Sequence, residues 1–285
     1  MKNNISISIS ILMLLPMGAI TTTIKGELTM ASYNITHGKK NNWPKRQPGV
    51  CNLIQKINAD IYCLQEIIKD NQQLDSIQTA LSNYKYVGKP RSSGIKGLSL
   101  WHRFVMNFAQ DEYCPIFYNP TKINILAHDT FGINGDQWTS ALLPRICTWA
   151  HCKEITTGKE FYVYNTHLDH KDQEKRLMQI KLILNDTKKR CGNTPTIITG
   201  DFNTTVTFEV EKIFSDADFI HARTVAHTVE GSTVTHIKGG KGFECDHIMI
   251  KPKDAFAIQC YKIFDKTISD TTSDHNPISM IFSLN

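Results

Sequence analysis

Apolar, β-branched segments of this chain end repeatedly in residues of one chemical kind. Asn34, Glu66, His167, Asp201 with Asn203, Asp246, and Asp274 with His275 each lie in or at the end of such a segment. Short runs rich in Val, Ile, Thr and Tyr read as strands. Strand ends can converge on one rim, so a chain with this pattern is constrained to a layered, strand-rich fold that gathers acids, amides and imidazoles.

The rest of the chain is consistent with that layering. Residues 28–35 have strand character and stop at the polar break Thr36-His37-Gly38. Apolar positions 50, 53, 54 and 57 have helical spacing, and 59–64 reads as a buried strand running into Gln65-Glu66. A second helix is expected over 71–81, followed by a Gly-, Lys- and Ser-rich surface loop over 88–99. Residues 113–118 and 122–130 look like adjacent strands turned at Asn119-Pro120, a hairpin signal. The next pair is 145–154 with 160–167, and 172–190 carries leucine and isoleucine at helical spacing. A β-branched strand over 195–199 runs into Gly200-Asp201-Phe202-Asn203, and 245–250, 257–264 and 277–282 are the remaining strands. Strands with intercalated helices make the class α+β.

At 285 residues one large sandwich accounts for the whole chain. The net charge of +5 favours an anionic substrate but is too dispersed to announce a nucleic-acid-binding protein. Lys2 followed by an apolar, serine-containing stretch over 5–20 reads as a targeting segment, too short and polar to span a bilayer comfortably. Residues 1–26 are therefore expected to direct export, cleaved within 19–26 or kept as an anchor, and 27–285 to form the catalytic domain. None of the eight cysteines sits in a Cys-x-x-Cys or zinc-finger arrangement, and Cys63, Cys147 and Cys245 fall in apolar segments that suit buried thiols. Glycans on the sequons at Asn34 and Asn203 would block the rim, which favours a bacterial route, secreted or periplasmic.

Hydrolysis of a phosphate ester needs a hard cation, a group that activates water, and donors for charge developing on phosphorus and the leaving oxygen. The strand-end residues supply all three. Six motifs occur in order: Ser-Tyr-Asn-Ile (32–35), Leu-Gln-Glu (64–66), Pro-Arg-Ile-Cys-Thr-Trp-Ala (144–150), Asn-Thr-His-Leu-Asp-His (165–170), Gly-Asp-Phe-Asn (200–203) and Ser-Asp-His (273–275). Together they resemble the endonuclease/exonuclease/phosphatase superfamily, which includes deoxyribonuclease I, deadenylases, neutral sphingomyelinases and inositol phosphatases. Residues 143–170 are most similar to an uncharacterised bacterial branch.

The resemblance implies a four-layered α/β/β/α sandwich with two packed, mainly antiparallel sheets flanked by helices. It implies that Glu66 binds Mg²⁺ or Mn²⁺, with Asn34 adjacent to metal and phosphate and Asp274 near the metal. His275 would contact the scissile phosphate and assist proton movement, with His167 its counterpart across the site. Asp201 would orient or deprotonate the attacking water, and Asn203 would donate to the phosphate. Asp246 would orient a catalytic histidine, expected to be His167; the Phe243-Glu244-Cys245 that precedes it departs from the branch pattern. Arg145 reads as a phosphate contact or as strand-end packing, Glu112 as a candidate pocket residue, and Asp169 and His170 as rim or loop residues.

The leading expectation is a secreted metal-dependent phosphodiesterase of nuclease type, acting as a monomer without an obligate protein partner. Its substrate would be a nucleic acid or a phospholipid head-group. Lys89, Arg91, Lys96, His102 and Arg103 form the loop that would supply a phosphate track, and Trp101, Phe104 and Phe108 the aromatics a lipid substrate would meet. The alternatives are a phosphomonoesterase on sugar or inositol phosphates, a sphingomyelinase-like enzyme, and an inactive phosphate-binding module.

Overall fold

The strands Leu28–Asn34 and Ile61–Gln65 pair in parallel, with Asn34 opposite Gln65, and a parallel pair requires a crossover. The helix Trp43–Ile57 supplies it. The same unit recurs further on, where Glu160–His167 and Thr196–Asp201 are parallel with His167 opposite Asp201, joined through the helix Gln173–Arg190. Each unit delivers two neighbouring strands to the same carboxyl-terminal edge.

The computed structural model describes residues 25–37, 42–68, 72–93, 111–134, 144–238, 240–265, 267–269 and 271–285. Residues 1–24 of the segment expected to direct export lie outside them, as do Lys96, Trp101, His102, Arg103, Phe104 and Phe108.

Each parallel unit is the centre of a sheet. Among the described residues the first has seven strands, in the spatial order Thr228–Gly231, Phe256–Ile263, Ile278–Leu284, Leu28–Asn34, Ile61–Gln65, Ile116–Tyr118, Lys85–Val87. The second has six, in the order Ile220–His221, Asp246–Lys251, Thr196–Asp201, Glu160–His167, Ile146–Glu154, Ile123–Gly132. Because successive side chains point to opposite faces, Met30, Ile61, Ile116, Val163, Ile197 and Ile248 fill one core between the sheets. Their neighbours Tyr33, Tyr62 and Leu64 pack outward with Val50, Ile54, Leu74 and Ile77 of the helices Trp43–Ile57 and Gln73–Ala80. On the other outer face Tyr164, Ile198 and Met249 meet Leu177, Ile180, Ile183 and Phe214 of Gln173–Arg190 and Phe208–Ser215. This is the four-layered α/β/β/α sandwich.

Two local expectations change. The helix expected near 50–57 begins at Trp43, because Pro44 in its first turn is where a missing N–H is tolerated. The hairpin expected over 113–130 does not form. Ile116–Tyr118 pairs with Ile61–Gln65 and Lys85–Val87 in the first sheet, while Ile123–Gly132 pairs with Ile146–Glu154 in the second. Asn119-Pro120 turns the chain, with Lys122 N–H donating to Asn119 O at 3.1 Å, but carries it from one sheet to the other. All eight cysteines are free thiols, and Cys63, Cys147 and Cys245 are buried.

Candidate active site

Where the two parallel units meet, one amide joins the sheets. Asn34 is fully buried, and its Nδ2 donates to Glu66 Oε1 at 3.1 Å and to Asp201 Oδ2 at 2.9 Å. Thr36, Glu66 and Asn203, each just past a strand end, have φ of 58°, 60° and 52°. Non-glycine residues adopt this left-handed region at a cost of about 1–3 kcal/mol each, typically where a site needs them. Here it turns the chain so that Asn34 Oδ1 accepts from Thr36 N–H at 2.9 Å, Glu66 Oε2 from His37 N–H at 2.6 Å and Asp201 Oδ1 from Asn203 N–H at 2.8 Å. Gly200, at φ 138°, lets the strand lie close to its neighbour, since a Cβ there would stand 1.9 Å from Thr166 O.

Asp201 sits between two flanking strands, with Asp246 opposite it on one side and His167 on the other. His275 arrives from the first sheet, on the segment leading into Ile278–Leu284, on the Asp246 side. Its Nδ1 donates to Asp246 Oδ2 at 2.8 Å, and its Nε2 lies 3.7 Å from Asp201 Oδ2. Asp246 therefore orients His275, not His167 as expected, because Asp201 separates it from His167 in the sheet. Burial would lower the His275 value, but Asp246 and then Asp201 outweigh it and push it up to about 10. Burial would raise Asp201, and the imidazoles of His275 and His167 reverse this and hold it below the ordinary carboxylate value.

His167 is held by Glu112, the candidate pocket residue. Its Nδ1 lies 3.0 Å from Glu112 Oε1, and its Nε2 is 3.6 Å from Asp201 Oδ2 and 3.9 Å from Glu66 Oε1. Glu112 is buried with two guanidiniums: Arg91 bonds Oε2, and Arg145 Nη1 stands 4.0 Å from Oε1. His37 Nε2 also reaches Oε2, at 3.1 Å. Burial would raise the Glu112 carboxyl, but Arg91 and His167 drive it well below its usual range. Arg145 is buried in this cluster, with Nη2 3.1 Å from His170 Nδ1.

The remaining expected residues lie around this centre. Asn203 Nδ2 donates to Leu168 O at 3.1 Å. Asp274 is half exposed, bonded by Thr36 Oγ1 and 3.5 Å from His236 Nε2. Ser273 Oγ donates to Asn34 O at 2.7 Å and fastens this loop to the first strand. His236, an isolated histidine in a polar stretch that gave no sequence signal, stacks on His275 at 4.3 Å. His37 is the other residue missed; it lies in the polar break after the first strand.

The donor set fits a hard cation. The Glu66 and Asp201 carboxylates lie together with the Asn34 amide between them, and oxygen donors of this kind suit Mg²⁺ or Mn²⁺. The imidazoles of His167 and His275 stand on either side of Asp201.

A sequence profile of the endonuclease/exonuclease/phosphatase family matches residues 31–275. A solved endonuclease/exonuclease/phosphatase from Bacteroides vulgatus is 27% identical, covering 91% of this chain and 99% of that one, with a TM-score of 0.77. A mannosyl-6-phosphatase from Bacteroides thetaiotaomicron is 26% identical over 90% of this chain and 99% of its own, with a TM-score of 0.72. Protein angel of Drosophila melanogaster is 28% identical over 172 residues, which are 57% of this chain and 44% of that protein. The match thus spans less than half of that curated relative.

Proposed function

We propose that this chain, which belongs to the endonuclease/exonuclease/phosphatase family, hydrolyses a compact phosphate ester by attack of water on phosphorus, with Mg²⁺ or Mn²⁺ as cofactor. The observation that carries this reading is the convergence on one atom. Asn34 Nδ2, His167 Nε2 and His275 Nε2 lie 2.9, 3.6 and 3.7 Å from Asp201 Oδ2.

Glu66, with Asn34 and Asp201 beside it, would hold the cation, which when bound neutralises phosphoryl oxygens. Asp201, kept ionised by the imidazoles on both sides, is placed to accept a proton from water. His275, kept cationic by Asp246, is placed to donate to a phosphoryl or leaving-group oxygen. His167, fixed by Glu112, presents its Nε2 from the opposite wall. Asn203 supplies a neutral donor at the end of its strand.

A compact ester is favoured over a polymer by the two members of the expected phosphate track that lie among the described residues. Arg91, expected in a track for several phosphates, is buried on Glu112, and Lys89 is paired with Asp129 at 2.7 Å. The likeness to a mannosyl-6-phosphatase supports the same choice. Phosphodiester hydrolysis is the second reading, since the same groups would serve it. Parallel assays of a sugar 6-phosphate, an inositol phosphate, a generic diester, plasmid DNA, RNA and sphingomyelin test this. Highest kcat/KM on the sugar or inositol ester supports the proposal, and highest kcat/KM on DNA, RNA or a diester replaces it. Export through residues 1–26 is proposed from their sequence alone, and N-terminal sequencing of the mature protein checks it.

A further inference from the structure

We infer that His221, Glu244 and His247 form a second metal site, for a zinc-class divalent cation, behind the catalytic centre. The donors come from two pieces of chain: His221 from the strand Ile220–His221, and Glu244 with His247 from the strand Asp246–Lys251 and the Phe243-Glu244-Cys245 segment that runs straight into it. Their ligand atoms all lie within 4.8 Å of one another. They share a wall of a cavity of about 400 Å³, which Thr205, Glu211 and Thr224 also line.

The spacing suits a cation. Two nitrogens bound tetrahedrally at 2.0–2.1 Å lie roughly 3.3 Å apart, and His221 Nε2 stands 3.1 Å from His247 Nδ1. Glu244 Oε1 is 4.0 Å from His221 Nε2 and is a buried oxygen with no hydrogen-bond partner. Its other oxygen accepts from Arg223 Nη1 at 2.8 Å, which fixes the carboxylate with Oε1 free. His247 Nε2–H donates to Thr204 O at 2.9 Å, so its lone pair is on Nδ1, facing His221. A ring N–H held by a backbone carbonyl is the usual support of a metal-ligating histidine.

Without metal, the two facing nitrogens share one proton. His221 Nδ1 accepts from Arg223 N–H at 3.2 Å, so the proton sits on Nε2 and is donated to His247 Nδ1. A cation replaces that proton. His221 then carries its hydrogen on Nδ1, so it no longer accepts from Arg223 N–H and its ring must turn away from that donor. Two imidazoles and one carboxylate are a set that zinc takes in preference to Mg²⁺, and the cavity leaves its fourth position open to water or a small anion.

The test titrates the full chain with Co²⁺ and Zn²⁺ in excess Mg²⁺, which fills the oxygen-rich catalytic site. One equivalent of Co²⁺ with a tetrahedral visible spectrum is expected, displaced by Zn²⁺. Glu244→Gln, which keeps the shape, and His221→Asn should each weaken binding at least tenfold, while Glu66→Gln and Cys245→Ser leave it unchanged. Circular dichroism checks that each variant is folded; should His221→Asn fail, Glu244→Gln decides. Absence of bound Co²⁺, or binding that survives Glu244→Gln, overturns the site. Binding lost in Cys245→Ser would place the ion instead on His236, Cys245 and His275, whose donors also lie within 4.8 Å.

Discussion

Glu112 Oε1 lies 3.0 Å from His167 Nδ1 beneath the site, and the same carboxylate binds Arg91. One buried anion therefore orients an imidazole from the second sheet and neutralises a guanidinium from the loop after Lys85–Val87. Orienting partners of this kind are worth about 10- to 100-fold in activity, and removing one member of a buried ion pair costs about 3–5 kcal/mol. Glu112→Gln should lower kcat about 10- to 100-fold with KM little changed. Glu112→Ala should lower unfolding free energy by about 3–5 kcal/mol, read by urea denaturation.

The same residue makes stability depend on acid. Its folded value is depressed, so its contribution is present above the ordinary carboxyl value of about 4.3 and is lost as pH falls through the lower folded value. Wild type and Glu112→Gln should differ most in urea midpoint near neutrality and converge in acid. A difference that is constant with pH would contradict the charged cluster.

Asn34 is required as a neutral donor, since it gives hydrogens to both Glu66 and Asp201. Asn34→Asp would place a third carboxylate against the other two. Losing a donor at a reacting centre costs about a hundred- to a thousandfold in kcat, and that fall is expected. Apparent Mg²⁺ affinity should hold or rise, because a carboxylate binds a hard cation better than an amide. Steady-state kinetics over a Mg²⁺ series separates the two effects.

Arg46 braces the loops that carry the site. It is buried, with Nη1 donating to Ile35 O at 2.7 Å and to Thr272 O, and Nη2 to Thr36 O at 2.6 Å. Arg46→Met leaves three carbonyls without this donor, at about 1–3 kcal/mol for each that stays buried and unpaired. Unfolding free energy should fall by at least about 2 kcal/mol, with a concurrent loss of kcat as Thr36 and Ser273 loosen.

Strand-end chemistry was legible for Asn34, His167 and Asp201, which close apolar strands, and the Gly-Asp-Phe-Asn and Ser-Asp-His segments carry their own turn chemistry. Which imidazole each carboxylate serves was not legible. Asp246 and His167 both flank Asp201, and only the sheet order shows that they lie on opposite sides of it. Glu112 and His167 are 55 residues apart and meet through a two-stranded pairing, Ile67–Ile68 with Glu112–Tyr113, too short to show periodicity. The failed hairpin has a similar cause: a turn at Asn119-Pro120 is written locally, but the partner of the outgoing strand is Ile146–Glu154, chosen by long-range packing.

The most direct test is hydrolysis of the best phosphate ester with Mg²⁺ or Mn²⁺, and after chelation, by wild type and His275→Ala. Turnover that needs the cation and falls about a hundredfold or more in the variant, as expected for loss of a proton donor, is the predicted result. Turnover indifferent to both chelation and His275→Ala would contradict the assignment of this centre.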